Sequence, residues 1–156
     1  FGFLGSLGLD GFMVSPAYGY SAVHDTNPDA AQEIFMTRND IHQKFSAAQK
    51  LFAKHRMMSS PIYLDFLAGK RDLTCAAYAN PTRNVKGWKG PCYLITDKHH
   101  ESFQGLIKET NWDAYGHGKD SRCDNCLMHC GFEISAALGV NAKLGDTLRM
   151  IAWQVA

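Results

Sequence analysis

The sequence lacks several of the signals that assign a protein to a functional class. It has no apolar run of the roughly 18 residues that a membrane-spanning helix needs. It has no Walker loop, no G-x-S-x-G nucleophile elbow and no G-x-G-x-x-G dinucleotide fingerprint. Its formal net charge is only +1, so no global field attracts nucleic acid or an anionic membrane. These absences argue against a membrane-spanning protein, a P-loop nucleotidase, an α/β-type serine hydrolase and a general nucleic-acid binder.

The beginning of the chain also lacks the features of a natural start. Residue 1 is not Met, and the apolar opening FGFLGSLGLDGFMV has neither the basic region nor the cleavage site of a signal peptide. We therefore expect the chain to be a piece of a longer, cytoplasmic protein. In a reduced compartment, clustered cysteines bind metal more often than they form disulfides.

Up to about residue 70, the sequence predicts an α/β unit. GFMVSP (11–16) is a short apolar run bounded by Gly and Pro, which is typical of a buried strand. NPDAAQEIF begins a helix with Asn27 as N-cap, and helical spacing continues beyond a break near residues 37–39. SSPIYLDFLAG predicts a further short helix with Ser60 as its N-cap.

After residue 70, the chain is rich in turn formers and contains every cysteine. CYLI (92–95) predicts a short strand, ESFQGLIKET a helix, and DKHH (97–100) a solvated loop. The closing segment AKLGDTLRMIAWQVA predicts an amphipathic helix whose apolar residues share one face. A boundary near residue 70 therefore separates residues 1–70 from residues 71–156.

Five cysteines are the most informative feature of the sequence. Cys123, Cys126 and Cys130 follow the pattern C-x2-C-x3-C, and Cys75 and Cys92 follow C-x11-G-x4-C. Tight turns in these segments would let the thiolates converge on one metal centre. We expect Cys75, Cys92, Cys123 and Cys126 to approach that centre, with Cys130 as the alternate ligand.

The type of metal is open between two alternatives. An iron–sulfur cluster takes thiolates from distant segments, and zinc needs four ligands at about 2.3 Å for sulfur. The spacing favours a four-iron (4Fe–4S) cluster, with zinc as the alternative. His129 is interpreted as a supporting residue and not as a ligand. Arg83 lies between two predicted ligands, where it could face an anionic substrate or cofactor or make a structural salt bridge.

Five motifs in this order and spacing resemble one known family, and they read DGFMVSPAYGY, YLDFLAG, NPTRNVKGWKGPCYL, ETNWDAYGHG and CDNCLMHCGFE. They are similar to the C-terminal part of the hopanoid-biosynthesis radical SAM proteins, the adenosylhopane synthases. The resemblance implies a radical SAM adenosyltransferase with a partial (β/α) barrel and a 4Fe–4S cluster that reductively cleaves S-adenosylmethionine. In that family the 5′-deoxyadenosyl radical adds to the alkene of diploptene.

The chain departs from this family pattern because it contains no C-x3-C-x2-C loop. The resemblance therefore implies that residues 1–70 are the last part of the barrel and that residues 71–156 are a cysteine-rich auxiliary domain. The spacing C-x11-G-x4-C also resembles auxiliary-cluster domains of radical SAM enzymes. We expect the chain alone to be catalytically silent. The alternative is a zinc-stabilised structural or binding module, and a thiol-redox protein is a poorer interpretation.

The resemblance also implies partners and further site residues. The expected partners are an N-terminal radical SAM half, a hopene-type triterpenoid substrate and a reductant such as ferredoxin or flavodoxin, with no nucleic acid. Ser15, Pro16, Tyr18 and Tyr20, at the C-terminal end of the predicted strand, are expected to contact the adenosyl group or the substrate. The expected location is the cytoplasm, including the inner-membrane surface where hopenes reside.

Overall fold

The computed structural model of the chain describes residues 1–18, 26–139 and 143–155. Within these ranges the fold is mixed α/β, with several helices and a small antiparallel sheet. The helices are α1 (Gly2–Ser6), α2 (Pro28–Ile34), α3 (Arg38–Phe52), α4 (Pro61–Leu67), α5 (Phe103–Glu109), α6 (His129–Ala137) and α7 (Leu144–Val155). The strands are β1 (Thr82–Asn84), β2 (Gly87–Pro91) and β3 (Thr96–His100), and short 3-10 turns cover Ala77–Ala79, Trp112–Ala114 and Ser121–Cys123.

Side-chain caps fix where the main helices begin. The side chain of Asn27 accepts a hydrogen bond from Ala30 N, and that of Ser60 from Tyr63 N, as the sequence predicts. The predicted break near residues 37–39 is confirmed, because Thr37 forms a capping box with Asp40 at the start of α3. These caps satisfy amide groups that have no partner inside the helix.

One hydrophobic core joins residues from both sides of position 70. It contains apolar side chains of α3, α4 and α6, and the Phe66 ring stacks on that of Phe132 with centroids 4.5 Å apart. Tyr63 is fully buried in this core and donates a hydrogen bond to the carbonyl of Leu127 at 2.7 Å. The helices on either side of the predicted boundary therefore share a single packed interior.

The sheet is antiparallel in the order β1-β2-β3. Asn84 pairs with Gly87 across a tight hairpin, and Trp88 pairs with His100 on the other side of β2. Gly87 has φ +130°, and a Cβ there would lie 2.6 Å from the carbonyl oxygen of His100. A side chain at this position would therefore be strained and would crowd β3.

The prediction of a strand at residues 11–16 is wrong for most of the segment. It is extended but makes only one parallel bridge, in which Phe12 N donates to Arg56 O at 2.9 Å and Met58 N donates to Phe12 O at 2.8 Å. Only a few residues separate the end of α3 from the Ser60 cap, so little backbone is available to pair. The one sheet in the described residues is antiparallel, and these residues show no (β/α) barrel.

Two predictions after residue 70 also need correction. CYLI is not a strand but the tight connection between β2 and β3, where Cys92 N donates to Ile95 O at 3.3 Å. Leu94 and Ile95 are buried. The run is therefore apolar because its side chains are buried, although its backbone does not belong to a strand. DKHH is not a solvated loop, because it belongs to β3 and His100 is buried between Glu109 and Thr110.

Helix α7 has the predicted apolar face, but this face is exposed. Leu144, Leu148 and Ile151 lie on it, each more than half exposed. The helix contacts the rest of the protein through other residues, since Met150 packs on the core and the indole of Trp153 donates to Met57 O at 2.7 Å. Among the described residues, no helix is both long enough and apolar enough to cross a bilayer.

Candidate metal centre

All five cysteines line one cavity of about 200 Å³. They reach it from separate parts of the fold, and each is a free, partly buried thiol. Cys75 precedes the first 3-10 turn, Cys92 follows β2, and Cys130 is in the first turn of α6, while Cys123 and Cys126 lie in the segment between β3 and α6. The structure therefore brings the two sequence motifs together.

Short-range backbone bonds shape the segment that carries three of these cysteines. The amide of Cys126 donates to Cys123 O at 3.1 Å, and the amide of Cys123 donates to Asp120 O at 2.8 Å. At the start of α3, the backbone amide of Arg38 donates to Asn125 Oδ1 at 2.9 Å and its guanidinium to Asp124 O at 3.0 Å. The helical core thus anchors the cysteine segment at its middle.

Cys75 is positioned by a close approach to α6. The amide of Ala76 donates to Gly131 O at 3.1 Å. A Cβ at Gly131 would overlap the sulfur of Cys75. Only glycine lets the backbone of α6 come this close to the thiol, and no sequence signal distinguished this glycine from others.

A polar network clamps the loop before Cys123 to the start of β3. The Arg122 guanidinium makes two bonds to the Asp97 carboxylate, at 2.7 and 2.9 Å, and pairs with Asp120 at 2.6 Å. Tyr115 donates its hydroxyl to Asp97 at 2.8 Å. Cys92 and Cys123 lie close in sequence to the two ends of this clamp, which therefore links the segments that carry them.

The segment predicted to contact substrate lies against the cysteine segment. The hydroxyl of Ser15 is 3.3 Å from His129 Nδ1, and the Tyr18 hydroxyl donates to Arg122 O at 2.6 Å. Tyr18 also lines the cavity, while Pro16 is buried. The end of the 11–16 segment therefore faces the side of the fold that carries the cysteines.

Arg83 is exposed on β1 and is not among the residues that line the cavity. His129 does not line it either. Tyr20 lies outside the described residues.

Aromatic residues that sequence reasoning did not assign to a site line the rest of the cavity. The rings of Trp112 and Tyr78 meet edge to face with their centroids 6.0 Å apart. Tyr115 and Met128 also line the cavity. The only sequence signal was the concentration of aromatic and turn-forming residues in the motif ETNWDAYGHG.

Burial raises the pKa of four of the thiols. It raises the pKa of Cys75 and that of Cys126 to about 12, and that of Cys130 to about 11, with a further contribution from the charge of a neighbouring cysteine. The pKa of Cys123 is also raised, chiefly by burial. These thiols therefore stay protonated at neutral pH, and binding of a metal ion to them would release protons.

Five thiols are enough for either of two metal groups. A tetrahedral zinc site brings four sulfurs to about 2.3 Å from one point, so that the sulfurs lie about 4 Å apart. An iron–sulfur cluster also usually takes four thiolates, which can come from distant segments of a chain. In the part of the chain that the structure describes, no three His, Cys, Asp or Glu side chains are gathered closely enough to hold one ion.

A family model matches residues 12–150, which is most of the chain, and its description is a domain of unknown function (DUF3463). The chain belongs to this family. The match includes all five cysteines and crosses position 70. No curated protein and no solved structure matches the chain significantly.

Proposed function

We propose that this DUF3463 domain binds an iron–sulfur cluster and forms the C-terminal part of a radical SAM enzyme similar to the adenosylhopane synthases. The observation that supports the proposal is that five cysteines from distant segments line one cavity. The substrate of the complete enzyme would be a hopene-type triterpenoid such as diploptene. Its partners would be an N-terminal radical SAM half and a reductant such as ferredoxin or flavodoxin.

Cys75, Cys92, Cys123 and Cys126 are the proposed ligands, with Cys130 as the alternate. Each lines the cavity, so the choice among the five rests on sequence spacing. When bound, an auxiliary cluster would supply electron transfer or a coordination site near the substrate. Zinc at the same cysteines remains the alternative, and the experiment below distinguishes the two.

The protein's own residues would shield and position the group. Trp112, Tyr78 and Tyr115 cover the cavity with aromatic surface, which limits the access of water. Arg122 holds the Cys123 loop against β3 through Asp97. Tyr18 connects the 11–18 segment to this loop and lines the cavity, so it is the residue best placed to meet a ligand that enters from that side.

Anaerobic reconstitution with iron and sulfide, followed by metal and sulfide analysis, tests the proposal. We expect about four irons per chain, broad visible absorption, and loss of most of the iron when Cys92 or Cys126 is changed to Ser. The matched control is Ser135→Ala, a small buried residue outside the cavity lining. Stoichiometric zinc with no visible absorption would support the zinc alternative. If the protein binds neither iron nor zinc, both alternatives are overturned.

Catalysis is tested separately with S-adenosylmethionine and a strong reductant. Because the chain has no C-x3-C-x2-C loop, we expect no 5′-deoxyadenosine from the chain alone. Addition of an N-terminal radical SAM half should restore the product. Multiple turnovers by the chain alone would contradict the proposal even if the cluster forms.

A further inference from the structure

A second concave surface lies on the helical side of the molecule, between the end of α3, the start of α4 and helix α7. This α3–α7 groove has a volume of about 580 Å³, within the range of small-molecule sites. It shares no lining residue with the cysteine cavity. It is therefore a separate feature of the fold.

The floor of the groove is apolar. Met57 and Phe52 are buried there, and the half-buried Trp153 covers one side. The indole N–H of Trp153 already donates to Met57 O at 2.7 Å. The ring can therefore offer its apolar surface to a ligand without leaving a polar atom unpaired.

Positive charge dominates the groove. Arg56, Lys70 and Arg149 line it, and Asp65 is the one carboxylate among its lining residues. Arg149 pairs with Asp65 at 2.7 Å, whereas Lys70 bonds the neutral amide of Gln49. Within the described ranges, Arg56 has no carboxylate partner. Two cations thus remain available to an anion.

We propose that the α3–α7 groove binds an amphiphilic anion, a ligand in which a carboxylate or phosphate group is joined to an apolar body. The apolar body lies against Met57 and Trp153. The anionic group faces Arg56 and Lys70. A neutral apolar molecule would leave the cations unused, and inorganic phosphate would leave the apolar floor in water.

Calorimetric titration with octanoate, octyl phosphate, 1-octanol and inorganic phosphate tests this assignment. We expect at least one of the octyl anions to bind about tenfold more tightly than both octanol and phosphate. Arg56→Gln should weaken that binding about tenfold, because a hydrogen-bonded charge pair is lost. Arg83→Gln is the matched control, an exposed arginine outside the groove, and should change affinity less than about twofold.

The proposal fails if neither octyl anion binds, if octanol binds equally well, or if Arg56→Gln behaves like Arg83→Gln.

Discussion

The helical core and the cysteine cavity are built by different means. The core of α3, α4 and α6 is held by apolar packing between residues such as Phe66 and Phe132. The cavity is lined mainly by loop residues, together with the start of α6, and polar contacts such as the Arg122–Asp97 pair link the segments around it. Packing contributes most to the stability of a domain, whereas exposed ion pairs contribute little. We therefore expect the two regions to respond differently to substitution.

The largest effect is expected in the core. Phe66 is 1% exposed and stacks on Phe132, so Phe66→Ala should lower the free energy of unfolding by about 3–5 kcal/mol. Urea denaturation measures this change. Phe3→Ala is the control, because Phe3 is 75% exposed and its loss should have little effect. Equal effects of the two substitutions would contradict the assignment of the core to these helices.

A smaller effect is expected where the two regions meet. In Gly131→Ala the new methyl group would overlap the Cys75 sulfur, so the free energy of unfolding should fall by about 1–3 kcal/mol and iron loading should drop. Gly145→Ala in α7 is the control, because a Cβ there meets nothing within 4 Å. Full iron loading in Gly131→Ala would mean that the Cys75 position does not matter to the centre.

The comparison also explains how much the sequence could predict. Helices α2 and α4 were predicted because their signals are local, with Asn27 and Ser60 each bonding an amide three residues ahead. Cysteine spacing predicted the candidate site, and all five cysteines line one cavity, but their role as metal ligands stays a prediction. Local signals therefore carried the predictions that the structure confirms.

The clamp and the sheet could not be predicted in this way. Arg122 and Asp97 are distant in sequence, and nothing in either segment marks them as partners. CYLI looked like a strand because buried connections and buried strands share the same apolar composition. Arg83 was a candidate because it lies between cysteines in sequence, yet the β1–β2 hairpin leaves it exposed.

The next effect should appear in local opening with little change in global stability. Arg122→Gln removes the exposed pairs with Asp97 and Asp120, which should change the free energy of unfolding by less than about 1 kcal/mol. Hydrogen exchange of residues 115–123 should nevertheless become faster, because their clamp to β3 is lost. Arg83→Gln again provides the control. Unchanged exchange in this loop would show that other contacts hold it.

The smallest effect is expected in the acid range. Hydrogen bonds from Arg122 hold the pKa of Asp97 and that of Asp120 below their usual range. A carboxyl whose pKa is lower in the folded state stabilises the fold above its ordinary pKa of about 4, and this contribution is lost as the pH falls through the folded value. The difference in unfolding free energy between the native protein and Arg122→Gln should therefore be constant near neutral pH and shrink below about pH 4. Urea titrations at a series of pH values measure it, and high salt should reduce it because both carboxylates are close to solvent. A difference that stays constant into the acid range would mean that Arg122 acts on the loop through packing and not through these two charges.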